Sequence, residues 1–587
     1  MKPSFAEWRA RVESELGGAP FDKLVAQTPE GLAIQPLYTE RVGDGPPPPG
    51  VAPYVRGATT QAAPFEICMR ADPTALEDDL EGGADALWLE PGDRAALAAA
   101  LGHGLGVVID AKGTPAIEHF EGVLQARRAW LGFDPIDELW RGELAAGDLP
   151  RRWSELARFA TRLEPPLGAS DPHVRSVRVS SLGYHLAGAD PCDELALVLA
   201  TAAAYLRALV HEGLTVAGAA QAMWAQVAVG RDTFGELCKL RALRLVWWKL
   251  FAAAGADVAL ELHAVCSPRT QALRDPWVNL LRVTTEVFAA VLGGAQVVTP
   301  AAFDAAFGAP SPLGRRTARN TALVLREESQ LGRVLDAGGG SYYLEARTDA
   351  LARAAWARFT AIERAGGLVT RLPAIRDQLA AAWQIRATAI AKRKEPVLGV
   401  SEFANLGENL PAPLPVSRPV SRPVPLPDGA DGADGADGAD GAAGAAGAAA
   451  APPEHRDGEA FETLRARVEG SRAVVLVTLG EPAAYRARLG FAEGVFATAG
   501  LQAQTATLAA TLDRIPAPAT IACLCGTDED YASDAATAAR ALKAAGYARV
   551  VLAGRPAALD PPLRAAGVDA FIFVGCDVLA TLEELTR

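Results

Sequence analysis

From residue 473 to the end of the chain, short apolar runs alternate with longer amphipathic stretches. AVVLVTLG (473–480) is apolar nearly throughout, which predicts a strand covered on both faces rather than one with a wet side. EPAAYRARLGFAEGVFATAG (481–500) predicts its helix, with Pro482 in a tolerated first-turn position and Gly500 as the stop. The same pair of signals recurs. ATIACLCG (519–526) precedes a helix from Asp528 to about Ala545, RVVLAG (549–554) a short helix near Pro561 to Ala566, and AFIFVG (570–575) a last helix to Arg587. Strands this apolar, each followed by a helix, predict a small doubly wound, flavodoxin-like parallel sheet.

Residues from about 30 to 400 repeat that alternation on a larger scale. SVRVSS (176–181) is followed by a helix from Cys192 to His211, a helix Asp232 to Ala254 by the strand VALELHAV (258–265), and a helix Asn279 to Leu292 by AQVV. So long a run of strand and helix units fits a TIM (β/α)8 barrel with insertions better than one open sheet. Residues 1–27 precede it with an amphipathic helix bearing Trp8, and predict an arm that packs on something else.

Between the two regions the composition changes. PAPLPVSRPVSRPVPLP runs into DGADGADGADGADGAAGAAGAAAAPP, and neither can build a core. The first predicts extended polyproline II; the second predicts a flexible coil, because Gly recurs every third residue without the Pro of a collagen triple helix. As a flexible chain the tract spans on the order of 35 to 40 Å root-mean-square. The expected organisation is an arm at 1–27, a barrel at 28–407, a linker at 408–453 and the sheet domain at 454–587.

Composition narrows the function classes. Half of the 587 residues are hydrophobic and 22% are charged, which excludes a disordered chain. Asp and Glu outnumber Lys and Arg 70 to 57, a net charge of −13 that disfavours nucleic acid and acidic membrane surfaces as partners. Seven scattered Cys are too few for a disulfide framework, so a reducing, cytoplasmic setting is expected. The charged opening MKPSFAEWRARVESEL does not read as a signal peptide, and apolar runs such as Leu195 to Leu206 end well short of a membrane span.

The common chemical signatures are missing: there is no P-loop, G-x-S-x-G, H-E-x-x-H or C-x-x-C. Gly102, Gly104 and Gly106 precede the strand VVID, whereas a dinucleotide loop follows one. Cys523 and Cys525 sit two apart on a strand, where Cys behaves as a small hydrophobe. Gly183, Tyr184 and His185 follow SVRVSS at the carboxyl end, where barrel enzymes keep their chemistry, and His263 lies near the end of VALELHAV. Two imidazoles over one barrel mouth could polarise a carbonyl. None of the seven His lies beyond His455.

GYHLAGA with the helix DELALVLATAAAYLRALVHEGL, KLRALRLVWWK, DPWVNLLRVTTEVFAAVLGGAQ, ARNTALVLREES and GGGSYYLEART resembles, in order and spacing, the acyl-CoA mutase barrel of the methylmalonyl-CoA mutase family. So do TPEGLAIQPLYT (28–39) and PYVRG (53–57), and the terminal sheet is similar to that family's cobalamin-binding domain. The resemblance implies a barrel that encloses acyl-CoA, stacked on a cobalamin domain. It also implies a radical 1,2-rearrangement between methylmalonyl-CoA and succinyl-CoA, with adenosylcobalamin supplying the radical.

The family's motifs carry over unevenly. Its cobalt-ligand loop D-x-H-x-x-G falls on Pro482, Ala484 and Ala487, and an alanine methyl cannot ligate a metal. Its S-x-L falls on Cys525 and Thr527, and only Gly554 is left of its Gly-Gly pair. In the barrel, R-Q-Y-A-G becomes CMRAD, with Arg70 in place of Tyr and Asp72 in place of Gly. His263 keeps its place in R-x-H-x-Q, but Glu261 and Val265 replace its neighbours, and no counterpart of Q-x-D-x-L-K-E stands between residues 110 and 175. Tyr184, His185 and His263 therefore read as remnants of a pocket, with no catalytic residue and no metal ligand assigned. The resemblance implies a non-catalytic small subunit of the heterodimeric bacterial enzyme, with adenosylcobalamin on a catalytic large subunit. Two alternatives stand beside it: an autonomous mutase holding cobalamin without the usual His, or a non-enzymatic module that binds acyl-CoA or a partner.

Overall fold

A computed structural model of the chain describes residues 4–40, 43, 45–90, 92–111, 123, 126–163, 174–410, 450–468, 473–513, 516–517 and 520–587. The Pro-rich and Asp-Gly-Ala tract falls almost wholly outside these residues. Eight strands close a barrel: β1 (Glu66–Arg70), β2 (Ala86–Leu89), β3 (Gly106–Ala111), β4 (Ala129–Phe133), β5 (Val174–Ser180), β6 (Met223–Val229), β7 (Leu262–Cys266) and β8 (Val297–Thr299). Every pairing is parallel, and β8 closes the ring by pairing with both β7 and β1. The expected TIM barrel is therefore the fold.

Alternation along the strands divides the barrel into two cores. Ile67, Met69, Leu87, Leu89, Val107 and Ile109 point outward and pack under the helices, in one large cluster. Cys68, Ala86, Trp88, Val108, Trp130, Trp224, Ala228, Val265 and Val297 form a separate cluster along the axis. The helices begin at legible signals. Asp190 opens Pro191–His211 by accepting from the Asp193 amide at 2.8 Å, and Asp232 opens Thr233–Ala253 by accepting from Gly235 at 3.0 Å. Pro191–His211 is the one described helix long and apolar enough to cross a membrane, and most of it is buried in this protein.

One boundary differs from the sequence reading. VALELHAV begins its ladder only at Leu262; just before the segment, Asp257 accepts from the Tyr54 hydroxyl (3.1 Å) and the Trp248 indole N–H (2.9 Å). At the other end of the chain, the helix Phe5–Glu15 opens on a Ser4–Glu7 capping box and buries none of its residues. Its aromatics pack on one another: Phe5 on Trp8 with ring centroids 5.4 Å apart, and Trp8 on Phe21 at 6.1 Å.

The second domain has five parallel strands, β9 (Val474–Thr478), β10 (Ala503–Thr507), β11 (Ile521–Cys525), β12 (Arg549–Ala553) and β13 (Ala570–Ile572), in the order β10-β9-β11-β12-β13. This is the flavodoxin-like arrangement, with an apolar cluster on each face. One of those clusters runs on into the barrel: Ala272, Ile390, Val397 and Val400 pack with Phe461, Leu464, Phe496 and Leu582. The domain is thus docked.

A charged clamp fixes the seam. Asp457 receives Arg386 at 2.8 and 2.7 Å and lies 3.4 Å from Arg231, while its amide donates to the Arg269 carbonyl. Burial alone would raise the Asp457 carboxyl; Arg386, Arg231 and Arg269 together hold it far below the usual carboxylate range. Beside it, His455 stacks flat on Trp383 at 4.3 Å. The start of the linker is anchored by Glu408, which pairs with Arg274 at 3.2 Å and with Arg465 at 3.0 Å, and near its end the Ala450 carbonyl accepts from Arg376 at 2.9 Å.

Candidate functional site at the barrel axis and the sheet crevice

Three tryptophans fill the barrel axis. Trp88, Trp130 and Trp224 are 5%, 1% and 0% exposed, and the Trp224 indole N–H donates to the Leu131 carbonyl at 2.9 Å. An eight-stranded barrel leaves only enough interior for side chains, so three indoles close it as a channel.

Above them, toward the carboxyl ends of the strands, sits a polar layer. Arg178 of β5 pairs with Asp110 of β3 and lies 3.5 Å from Asp134; Gly132 opposite has no side chain, and a Cβ there would stand 2.9 Å from the guanidinium. His263 of β7 is in this layer. Its Nε2 is 2.8 Å from the Thr299 hydroxyl, its Nδ1 is 3.3 Å from the Gln226 amide nitrogen, and Trp88 and Trp224 flank its ring. Burial, reinforced by Arg70 and Arg178, pushes the His263 imidazole down to about 3, so it is neutral at physiological pH. Arg70 lies over Trp88 at 3.7 Å from the ring, a cation–π contact.

His185 and Tyr184 lie on the short helix Leu182–Leu186 that follows β5, both within the core. The His185 Nδ1 is 2.7 Å from Glu194 and its Nε2 2.6 Å from the Ser267 hydroxyl. Burial and then Arg269 push its imidazole down to about 4 against the pull of Glu194. Glu194 also receives Lys239 at 3.3 Å; although burial opposes it, Lys239 and His185 hold its carboxyl at about 2. The Tyr184 hydroxyl shares a hydrogen bond with Thr201 at 3.0 Å, and its ring meets Trp140 edge-on at 4.9 Å. His185 and His263 therefore share no partner, and each is occupied by its own neighbours. The two imidazoles expected over one barrel mouth are both buried and hydrogen-bonded to neighbours of this chain.

In the sheet domain, Pro482, Ala484 and Ala487 are exposed on the helix Pro482–Thr498 that follows β9. The crevice at the carboxyl ends of the strands is occupied by this chain's own side chains. The Tyr531 hydroxyl donates to the Ala553 carbonyl at 2.6 Å and accepts from the Gly526 amide at 3.0 Å. Arg488 donates to the Gly526 carbonyl at 2.7 Å and to Asp528 at 2.6 Å, and lies 4.9 Å from the Tyr531 ring. A Cβ on Gly554 would come within 3.3 Å of both. Among the described residues, no three His, Cys, Asp or Glu side chains gather as metal ligands. These residues do not fit a cobalamin: Ala484 offers a methyl where the family motif has His, and Arg488 and Tyr531 bond the ends of the strands beside Gly554.

At the opposite, amino end of the barrel is a cleft of about 570 Å³ among whose walls are Arg56, Arg127, Arg128, Arg244 and Arg326. Most of this charge is answered locally: Arg127 by Glu66 at 3.0 Å, Arg56 by Asp336 at 3.5 Å, Arg326 by Asp85. Sequence reading finds no basic cluster because these residues come from four separate segments, of which only Arg127 and Arg128 are neighbours in the chain.

A closed parallel barrel whose carboxyl mouth carries a docked flavodoxin-like sheet defines the class, a barrel of acyl-CoA mutase type. The family model described as methylmalonyl-CoA mutase matches residues 158–420. A methylmalonyl-CoA mutase small subunit of Streptomyces virginiae is 37% identical over 96% of this chain and 92% of its own length. The small subunit of Propionibacterium freudenreichii subsp. shermanii is 31% identical over 99% and 94%. A protein of Escherichia coli K12 named simply methylmalonyl-CoA mutase is 30% identical over 63% of this chain and 59% of its own. The chain belongs to the methylmalonyl-CoA mutase family.

Proposed function

We propose that the chain is the non-catalytic small subunit of an adenosylcobalamin-dependent methylmalonyl-CoA mutase, an isomerase of the cytoplasm whose catalytic large subunit holds the cofactor. The observation that carries this reading is the filled axis. A barrel that encloses acyl-CoA needs an open interior, and Trp88, Trp130 and Trp224 leave none. The lost imidazole at Ala484 and the crevice closed by Arg488 and Tyr531 support it from the second domain.

In this reading the chain is divided into the arm 1–27, the barrel 28–407, the linker 408–453 and a degenerate cobalamin-type domain 454–587. The chain's part is to stabilise its partner. Two similar barrels packing pseudo-symmetrically would bury the large area of an obligate interface, and the arm helix, with Phe5 and Trp8 lacking a buried seat in this chain, fits such a contact. Relatives named small subunit aligning over nearly the whole chain favour this role over an autonomous mutase. Co-expression with the large subunit followed by size-exclusion chromatography tests it: an equimolar complex is expected, and a chain that elutes alone in the presence of that partner would overturn the reading.

A further inference from the structure

Beside Arg70, where β1, β7 and β8 end, the barrel mouth keeps a cavity of about 280 Å³. At about 30 Å³ per liquid water it has room for about nine waters, far too little for a coenzyme A ester. Most of the wall is apolar, built from Met69, Val265, Pro300, Ala302 and Ala306. Two polar groups stand out in it. Arg70 lines the cavity with its guanidinium over the Trp88 ring, and its leading counter-charge, Asp110, is already paired with Arg178. Gln271 is 2% exposed, and neither its amide nitrogen nor its amide oxygen has a hydrogen-bond partner. The other two arginines of the wall are taken: Arg315 by Asp79 and Arg456 by Glu462 at 2.7 Å.

We propose that this cavity binds a short-chain monocarboxylate, with the carboxylate on the Arg70 guanidinium and the Gln271 N–H and the hydrocarbon end on the apolar wall. One cation whose nearest counter-charge is shared with Arg178, lining the same cavity as one unpartnered amide, suits a single carboxylate, whose charge-assisted bonds would serve both. A dicarboxylate would bring a second charge to a wall whose other arginines, Arg315 and Arg456, are already paired with Asp79 and Glu462. A coenzyme A thioester lacks the free carboxylate and has no path through the tryptophans. The cation is a feature of this chain, since Arg70 stands where the family motif has Tyr. The site goes beyond the subunit role and does not depend on it, because binding is read on the full-length chain alone.

Isothermal titration calorimetry of the full-length chain with isobutyrate, isobutyramide and isobutyryl-CoA tests the proposal. Isobutyrate is expected to bind at one site per chain, about tenfold or more tighter than the neutral amide and tighter than the thioester. Arg70→Gln is expected to weaken isobutyrate about tenfold or more, and Gln271→Leu about fivefold, in chains whose circular dichroism is unchanged. A flat isobutyrate titration, equal binding of acid and amide, or a thioester that binds as tightly as the acid would overturn it. Undiminished binding to folded Arg70→Gln would do the same. If that variant does not fold, the ratio of acid to amide on the unaltered chain decides.

Discussion

In the barrel, His185 and His263 keep their imidazoles, but each ring commits both nitrogens to neighbours within the core. In the sheet domain the loop after β9 has no imidazole, and Arg488 and Tyr531 lie across the crevice. The difference follows from where each residue sits. An imidazole inside a packed barrel bonds to Glu194 and Ser267 or to Gln226 and Thr299, so removing it would leave buried polar atoms unpaired. A ligand imidazole on an exposed helix start holds nothing else together, and its loss costs the fold little. In the proposed reading, residues kept where the family has its pocket can be structural, and family residues absent here mark where only chemistry would hold them.

The contrast can be broken most forcefully at the axis. Trp224→Ala removes a fully buried indole and is expected to cost about 3 to 5 kcal/mol in urea unfolding. Asp457→Ala, at the seam, leaves Arg386, Arg231 and Arg269 short of a counter-charge. Glu395, 3.0 Å from Arg386, partly compensates, so about 3 kcal/mol is expected, with faster amide exchange over 454–468 and unchanged exchange in β3 to β6.

A smaller effect separates the two regions by pH. Unfolded imidazoles take up protons near pH 6.5, whereas His185 and His263 do so in the folded chain only near 4 and 3. The unfolded chain then binds more protons, and stability falls as pH drops from about 6.5 toward 5, by on the order of 1 to 2 kcal/mol per ring. Thermal melts across that range measure the slope, and a flat profile would place either ring in solvent. Smallest of all is Ala484→His in the sheet domain. At an exposed position it should move stability by no more than about 0.5 kcal/mol. With the crevice closed, it should add no nitrogen splitting to the paramagnetic resonance spectrum of added cob(II)alamin.

The sequence makes both folds legible where apolar strands alternate with helices, and Asp190 with Pro191, Asp232 and Pro482 mark helix starts that the structure keeps; the edge strand β10, AQTAT, is largely solvent-facing and carries no apolar run to announce it. The axis is less legible. Trp88, Trp130 and Trp224 lie in strands buried on both faces, and such strands carry no pattern that tells the inward side from the outward. Nor does the chain around His185 reveal that Glu194 and Ser267 close on it, since those partners come from 9 and 82 residues away. Asp457 looks like any acidic residue after a linker until three arginines from three separate segments converge on it. Ala484, by contrast, was readable at once, because a methyl excludes ligation in any fold.

The most direct measurement of the central claim is succinyl-CoA turnover with adenosylcobalamin and methylmalonyl-CoA, by this chain alone and by its equimolar complex with the large subunit. Turnover is expected only in the complex. Succinyl-CoA formed and consumed by the isolated chain would contradict the account.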